Sequence, residues 1–183
     1  DAFQEQKITY TPIKYQDLNQ VVAGYLQKRC AAMTSDRSQL AAARSSFRNS
    51  EDHIILNEVL SKEPLAPATV GGDEKLSDAV RWIIYSLFTA EELNITKANI
   101  GEKIKEAQNN SNMMSTRRFL GLDGSLGNKL GIRNDFVIKI ISNTGNYAEI
   151  YDRNLGPGSK VNITRGVNNN YKNGGLLIAP PMK

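Results

Sequence analysis

The chain has 183 residues, of which 40% are hydrophobic, 7% aromatic and 23% charged, a composition typical of a globular protein that buries a core. Its formal net charge of +4 lies in residues 71–183, and no block of five or more like charges occurs, so a nucleic-acid partner is not indicated. No apolar run approaches the roughly 18 residues of a membrane span. No signal peptide is recognisable, and the single cysteine, Cys30, cannot form an internal disulfide.

Residues 1–70 are predicted to alternate helices with strands. Asp17 can cap a helix whose apolar side chains recur at helical spacing as far as Leu26. In chain order, the predicted elements are a helix over 1–6, strands over 7–15 and 30–33, each followed by a helix (17–29 and 37–47), and strands over 53–60 and 64–70. This alternation predicts an α/β unit, in which helices pack on the faces of a sheet.

Residues 71–183 are predicted to be mostly helical, so we place the main boundary of the chain near residues 65–73. Asp73 opens a long helix, and its predicted buried stripe consists of Leu76, Val80, Ile83, Ile84 and Leu87. Thr96 is the predicted cap of a second helix. A single helix is predicted over 134–154, where Gly145 is a modest local weakness, and a last short helix is predicted over 161–171.

Motifs that carry catalytic chemistry are scarce. The only histidine, His53, has no second histidine or cysteine pair with which to hold a metal, and a role at a strand end suits it better than catalysis. The glycine-rich stretch GLDGSLG (121–127) lacks the preceding strand and the Lys-Ser/Thr pair of a phosphate-binding loop, so we interpret it as a turn. We therefore predict no catalytic residue, no metal site and no cofactor.

Asp36 has two possible roles. It precedes the predicted helix over 37–47, so it can cap that helix, with Gln39 completing a capping box. It also follows the predicted strand over 30–33, and ligands of open α/β sheets bind at the carboxyl ends of strands. A carboxylate there could accept a ligand's ammonium group, with the hydroxyl of Ser35 or Ser38 beside it. The pattern by itself leaves both roles open.

Several long stretches resemble one protein family, in the same order along nearly the whole chain. They are GYLQKRCAAMTSDRSQLAAAR (24–44), NSEDHIILNEVLSKEPLAPATVGGDEKLSDAVRWIIYSLFTAEELNIT (49–96), RRFLGLDGSLGNKLGIRNDFVIKIISNTGNYAEIYDRNLGPGS (117–159) and GGLLIAPP (174–181). The chain resembles the periplasmic solute-binding proteins of amino-acid ABC transporters, and more narrowly the general L-amino-acid-binding subfamily. The resemblance implies a type II periplasmic-binding fold of two α/β lobes that clamp an L-amino acid for delivery to an ABC permease.

The resemblance also implies roles for particular residues. The acid of MTSD, Asp36, corresponds to the family's acceptor of the ligand α-ammonium group, with Ser35 and Ser38 next to it. The family's first lobe, its carboxylate-binding arginine and the cysteine that would pair with Cys30 would all precede Asp1. Ala31 stands where the family usually has an acid. The absence of an initial methionine leads us to expect a mature or trimmed product.

The chain is therefore expected to be the C-terminal part of such a protein. Residues 1–70 would form an incomplete α/β ligand-binding lobe, and the helical segment over 71–183 would pack on the N-terminal lobe or mediate self-association. A ligand-sensing regulatory module on the same fold is the alternative. An enzyme on this fold, such as a lyase, would need a base or nucleophile that the sequence does not offer.

Overall fold

The computed structural model describes residues 2–62 and 64–182, so the predictions for Asp1 and Lys183 lie outside the described residues. The chain divides into two compact units, Asp1–Leu65 (unit 1) and Ala66–Lys183 (unit 2). Within the described ranges, the regular elements are α-helices and short 3-10 turns, with one isolated parallel β-bridge between Asn170 and Leu177.

Unit 1 contains three short helices whose bounds follow from local sequence signals. They are α1 (Ala2–Glu5), α2 (Leu18–Leu26) and α3 (Arg37–Ser45), followed by a 3-10 turn over Ser50–Asp52. The predicted cap of α2 is confirmed, because the Asp17 carboxylate accepts a hydrogen bond from the Gln20 backbone N–H at 2.9 Å.

The strands predicted over 7–15, 30–33, 53–60 and 64–70 are wrong for the described residues, where the backbone forms no strand ladder. At His53 the backbone is extended, with φ −117° and ψ 127°, yet it has no strand neighbour. Alternating side chains favour an extended backbone, but a strand also needs a second strand to pair with its N–H and C=O groups. The described part of unit 1 supplies no such second strand.

The interior of unit 1 is correspondingly small. Among its described hydrophobic side chains only Ala41 is fully buried, whereas Ile54 is 81% exposed and Leu65 79% exposed. Unit 1 contains a ring cluster in which His53 packs on Tyr25 and on Phe47, with centroids 5.4 and 4.7 Å away. This cluster joins α2 to the segment that follows α3.

Unit 2 is a helical assembly around one hydrophobic core. Its described helices are α4 (Glu74–Glu92), α5 (Ile100–Asn109), α6 (Met114–Phe119), α7 (Leu126–Lys129), α8 (Phe136–Thr144) and α9 (Tyr147–Asn154), followed by 3-10 turns over Gly166–Asn168 and Tyr171–Asn173. The buried members of the core are Leu87, Ala90, Ile95, Ile100, Ala107, Phe119, Leu120, Phe136, Val137, Ile141 and Met182.

The long helix α4 follows its sequence signals closely. Asp73 caps it by accepting a hydrogen bond from the Leu76 backbone N–H at 2.9 Å, as predicted. Of the predicted buried stripe, Leu87 lies in the core, whereas Leu76 at the first turn is 44% exposed. The prediction that Leu76 is buried is wrong, because the core begins further along α4, where α8 and α9 pack against it.

The second predicted helix begins later than its sequence signals indicate. Thr96 and Asn99 exchange hydrogen bonds, Thr96 N–H donating to the Asn99 side chain at 2.7 Å and Asn99 N–H to the Thr96 hydroxyl at 3.2 Å. The helix α5 then starts at Ile100 with Asn99 at its N-cap position, while the Thr96 hydroxyl makes the predicted cap-type bond one turn earlier.

The single helix predicted over 134–154 is wrong, because the chain breaks it at Gly145. Gly145 adopts φ 76°, and a Cβ atom there would lie 2.6 Å from an oxygen of Glu149, so the position requires glycine. Asn146 then starts α9 with a full capping box: its side chain accepts from Glu149 N–H, and the Glu149 carboxylate accepts from Asn146 N–H. The buried Asn146 amide also donates to the Ile95 carbonyl at 2.9 Å.

The helix predicted over 161–171 is also wrong. Asn162 and Gly166 have φ values of 47° and 51°, which a right-handed helix cannot contain. Instead, Arg165 anchors this segment through a two-pronged ion pair with Glu91 of α4, at 2.7 and 2.9 Å. The guanidinium also lies over the ring of Tyr147, 5.5 Å from its centroid.

Candidate ligand-binding site

Asp36 lies directly before α3, at the N-cap position of this nine-residue helix. Its backbone is extended, with φ −56° and ψ 139°, and its carbonyl accepts the first helical hydrogen bond from Leu40 N–H at 2.9 Å. The side chain is half-buried. A carboxylate in this position is stabilised by the partial positive charge at the start of the helix.

The carboxylate of Asp36 does not cap α3, so the predicted capping role is wrong for its side chain. Asp17 and Asp73 each accept a hydrogen bond from the third residue of their helices, but Asp36 makes no side-chain cap bond. The predicted capping box with Gln39 is wrong for the same reason. The Gln39 amide oxygen instead accepts a hydrogen bond from the Ser35 hydroxyl at 2.6 Å.

The Asp36 carboxylate is consequently available to bind a ligand. Within residues 2–62 and 64–182 it makes no hydrogen bond and no ion pair. An ionised carboxylate has about four lone-pair positions, and a charged donor such as an ammonium group forms a strong contact with it. The geometry therefore fits recognition of a cation by Asp36.

The two serines proposed for the site lie on either side of Asp36 and differ in their partners. Ser35 is half-buried and donates to Gln39, so its oxygen can still accept a hydrogen bond. Ser38 is also half-buried, and its hydroxyl has no hydrogen-bond partner among the residues that the structure describes. The role of Gln39 was missed, although its i,i+4 spacing from Ser35 is a contact distance on a helix surface.

Cys30 and His53 occupy structural positions. Cys30, the first residue of the strand predicted over 30–33, is a free, partly exposed thiol with no strand around it among the described residues, and its sulfur lies 3.7 Å from the Tyr15 hydroxyl. This hydrogen bond raises the pKa of Tyr15. The His53 Nδ1 atom lies 2.7 Å from the Tyr25 hydroxyl, which places it in the ring cluster of unit 1 rather than in a reactive site.

Residues 121–124 of the glycine-rich stretch form a turn, as interpreted from the sequence, whereas its last residues, Leu126 and Gly127, lie in α7. Arg117 holds the turn by pairing with Asp123 at 2.7 Å and by donating to the Ala107 carbonyl at 2.6 Å. In the described part of the chain, no group of three or more His, Cys, Asp or Glu side chains is arranged to hold a metal ion. None of the described helices combines the length and the apolar character needed to cross a membrane.

Curated relatives match the whole of this chain. The general L-amino acid-binding periplasmic protein AapJ of Rhizobium johnstonii is 40% identical over 185 residues, which cover 100% of this chain and 53% of AapJ. The glutamate/glutamine/aspartate/asparagine-binding protein BztA of Rhodobacter capsulatus is 39% identical, again over 100% of this chain and 53% of the relative. The putative amino-acid ABC transporter-binding protein YhdW of Escherichia coli is 36% identical. No family model matches the chain.

A solved structure has a similar fold. An ABC transporter periplasmic binding protein from Brucella ovis, with glutathione bound, superposes with a TM-score of 0.88 at 38% sequence identity. The match covers 100% of this chain and 56% of the Brucella protein. The fold class predicted from the resemblance is therefore confirmed, although the described residues form no strand ladder.

The chain spans about half the length of the curated relatives it matches. These relatives are named as amino-acid-binding proteins, one of them as a putative amino-acid ABC transporter-binding protein, rather than as enzymes, and nothing in the comparisons supports the alternative of a regulatory module. Along its whole length, the chain is homologous to the C-terminal part of the amino-acid-binding periplasmic proteins of ABC transporters and shares their type II periplasmic-binding fold.

Proposed function

We propose that this chain belongs to the solute-binding component of an amino-acid ABC importer, which captures L-amino acids in the periplasm and delivers them to the permease. The observation that carries the proposal is the similarity of all 183 residues, at 36–40% identity, to relatives named as amino-acid-binding or amino-acid ABC transporter-binding proteins, one of them periplasmic. The sequence offers no recognisable set of catalytic residues, which is consistent with a protein that binds its ligand and releases it unchanged.

In this proposal, Asp36 accepts the α-ammonium group of the amino acid. Three observations support the assignment. The carboxylate is half-buried, it lies at the start of α3, and, unlike the carboxylates of Asp17 and Asp73, it makes no cap bond to its helix. A charge-assisted hydrogen bond of this kind contributes about 1.5–3 kcal/mol. The hydroxyls of Ser35 and Ser38 would supply neutral contacts to the same ligand.

The α-carboxylate of a zwitterionic ligand needs its own partner, because an anion that leaves water without one is costly. We place that partner on an N-terminal lobe, as the family resemblance implies. Exposed apolar side chains in both units, such as Ile54 at 81% and Leu176 at 74%, supply surface for packing against that lobe. Self-association through the same surfaces is the competing outcome when the lobe is absent.

The decisive experiment is a calorimetric titration of the intact protein, in which an N-terminal lobe precedes these residues. The titrants are L-glutamate, L-glutamine, L-aspartate and L-asparagine. Asp36→Asn keeps the size of the side chain and removes its charge, so we expect affinity to fall at least tenfold, which corresponds to about 1.4 kcal/mol. Asp17→Asn is the matched control, since asparagine also caps helices well and Asp17 lies at the start of α2.

The outcomes separate the residue assignment from the function. Unchanged affinity of Asp36→Asn would refute the ammonium role while leaving amino-acid transport in place. Absence of binding by the unsubstituted protein would refute the function for these four ligands. The 183 residues alone serve as a further control, and micromolar binding by this chain as a monomer would contradict the placement of the carboxylate partner on another lobe.

A further inference from the structure

We draw no further inference here: the strongest candidate, the side-chain cluster of Ser35, Asp36 and Gln39 at the start of α3, belongs to the site already described, and the described residues around it hold no second feature that points to another ligand.

Discussion

Units 1 and 2 both contain α-helices, but they bury very different numbers of large apolar side chains. Unit 2 encloses large side chains such as Phe119 and Ile141, which are 1% and 0% exposed. In the described part of unit 1, the only fully buried hydrophobic side chain is Ala41. A helix satisfies its own backbone groups and needs a partner only for its apolar face, whereas an extended segment needs partners for both.

The two units differ in whether their apolar side chains find partners among the described residues. In unit 2, α4 packs against α8 and α9, so partners for its apolar face lie within the chain. In unit 1, the stretch over 53–60 leaves Ile54, Leu56 and Val59 at 81%, 67% and 74% exposure. Hydrophobic side chains in such a stretch are a surface suited to a further layer of structure.

Hydrogen exchange should give the largest contrast between the two units. We expect the backbone N–H groups around Leu87 in α4 to be protected at least about a thousandfold. They exchange only when the core of unit 2 opens, and that opening costs a free energy of several kcal/mol. The N–H groups over 54–60 lack backbone partners in the described structure and should exchange almost without protection. Exchange followed by NMR or mass spectrometry checks this, and equal protection of the two regions would show that strand pairing occurs in unit 1.

Truncation of apolar side chains should produce the next largest difference. Phe119→Ala opens a cavity in the core of unit 2 and should reduce the free energy of unfolding by about 3–5 kcal/mol. The matched change in unit 1, Ile54→Ala, removes an exposed side chain and should alter that free energy by less than about 0.5 kcal/mol. Urea unfolding of both variants measures the difference. Similar losses would mean that Ile54 is buried in solution, for instance by self-association.

The ion pair of Arg165 with Glu91 should contribute more than any exposed pair in unit 2. Its side chains are only 15% and 10% exposed, so Arg165→Met leaves a buried carboxylate without its partner and should cost about 3 kcal/mol of unfolding free energy. The control is Arg133→Met, whose pair with Asp135 has side chains 72% and 35% exposed and should contribute less than about 1 kcal/mol.

A double variant tests whether the loss of stability comes from the unpaired carboxylate of Glu91. Adding Glu91→Leu to Arg165→Met removes the unpaired carboxylate, so thermal or urea unfolding should show recovery of part of the stability. If the double variant is as unstable as the sum of its single changes, the two side chains act independently and the pair is not the cause.

The smallest expected effect is a pH dependence at the glycine-rich turn of unit 2. The hydrogen bond from the Arg117 guanidinium lowers the pKa of Asp123 below its ordinary value. The pair therefore stabilises the fold above the ordinary carboxyl range, near pH 4, and this contribution disappears as the pH falls through the lowered pKa of the folded state. Asp123→Asn should consequently destabilise the protein at pH 7 but have little effect near pH 2.

The control for the pH effect is Asp152→Asn, because the Asp152 carboxylate is exposed and forms no ion pair with the residues that the structure describes. Urea unfolding at both pH values should show no comparable change for this variant. A loss for Asp123→Asn that is equally large at both pH values would assign the effect to packing of the turn rather than to charge.

Helices were easier to predict than strands for a physical reason that particular elements illustrate. The start of α2 at Asp17 and of α4 at Asp73 follows from a cap and an apolar period within the next few residues. The stretch over 30–33 carries an equally clear apolar pattern, but its strand depends on residues that the described structure does not place beside it. Gly145 looked tolerable inside a helix because glycine costs only about 1 kcal/mol there.

The candidate site was only partly predictable. The sequence placed Asp36 before a helix, and the resemblance assigned it a ligand, but that position by itself left both the cap and the ligand role open. The side-chain geometry decides that the cap bond is not made and that Gln39 bonds to Ser35 instead. The contact with the ligand itself is still a prediction.

The sequence by itself determined the helices whose hydrogen bonds and caps connect residues three or four positions apart, α4 above all. Only the tertiary structure decided the contacts between distant residues, such as Arg165 with Glu91, 74 positions apart, and Asn146 with Ile95, 51 positions apart. Local pattern specifies a helix because its backbone partners are near neighbours along the chain. A buried ion pair or a bond to a distant carbonyl depends on which surfaces the packed helices bring together, and no short stretch of sequence contains that information.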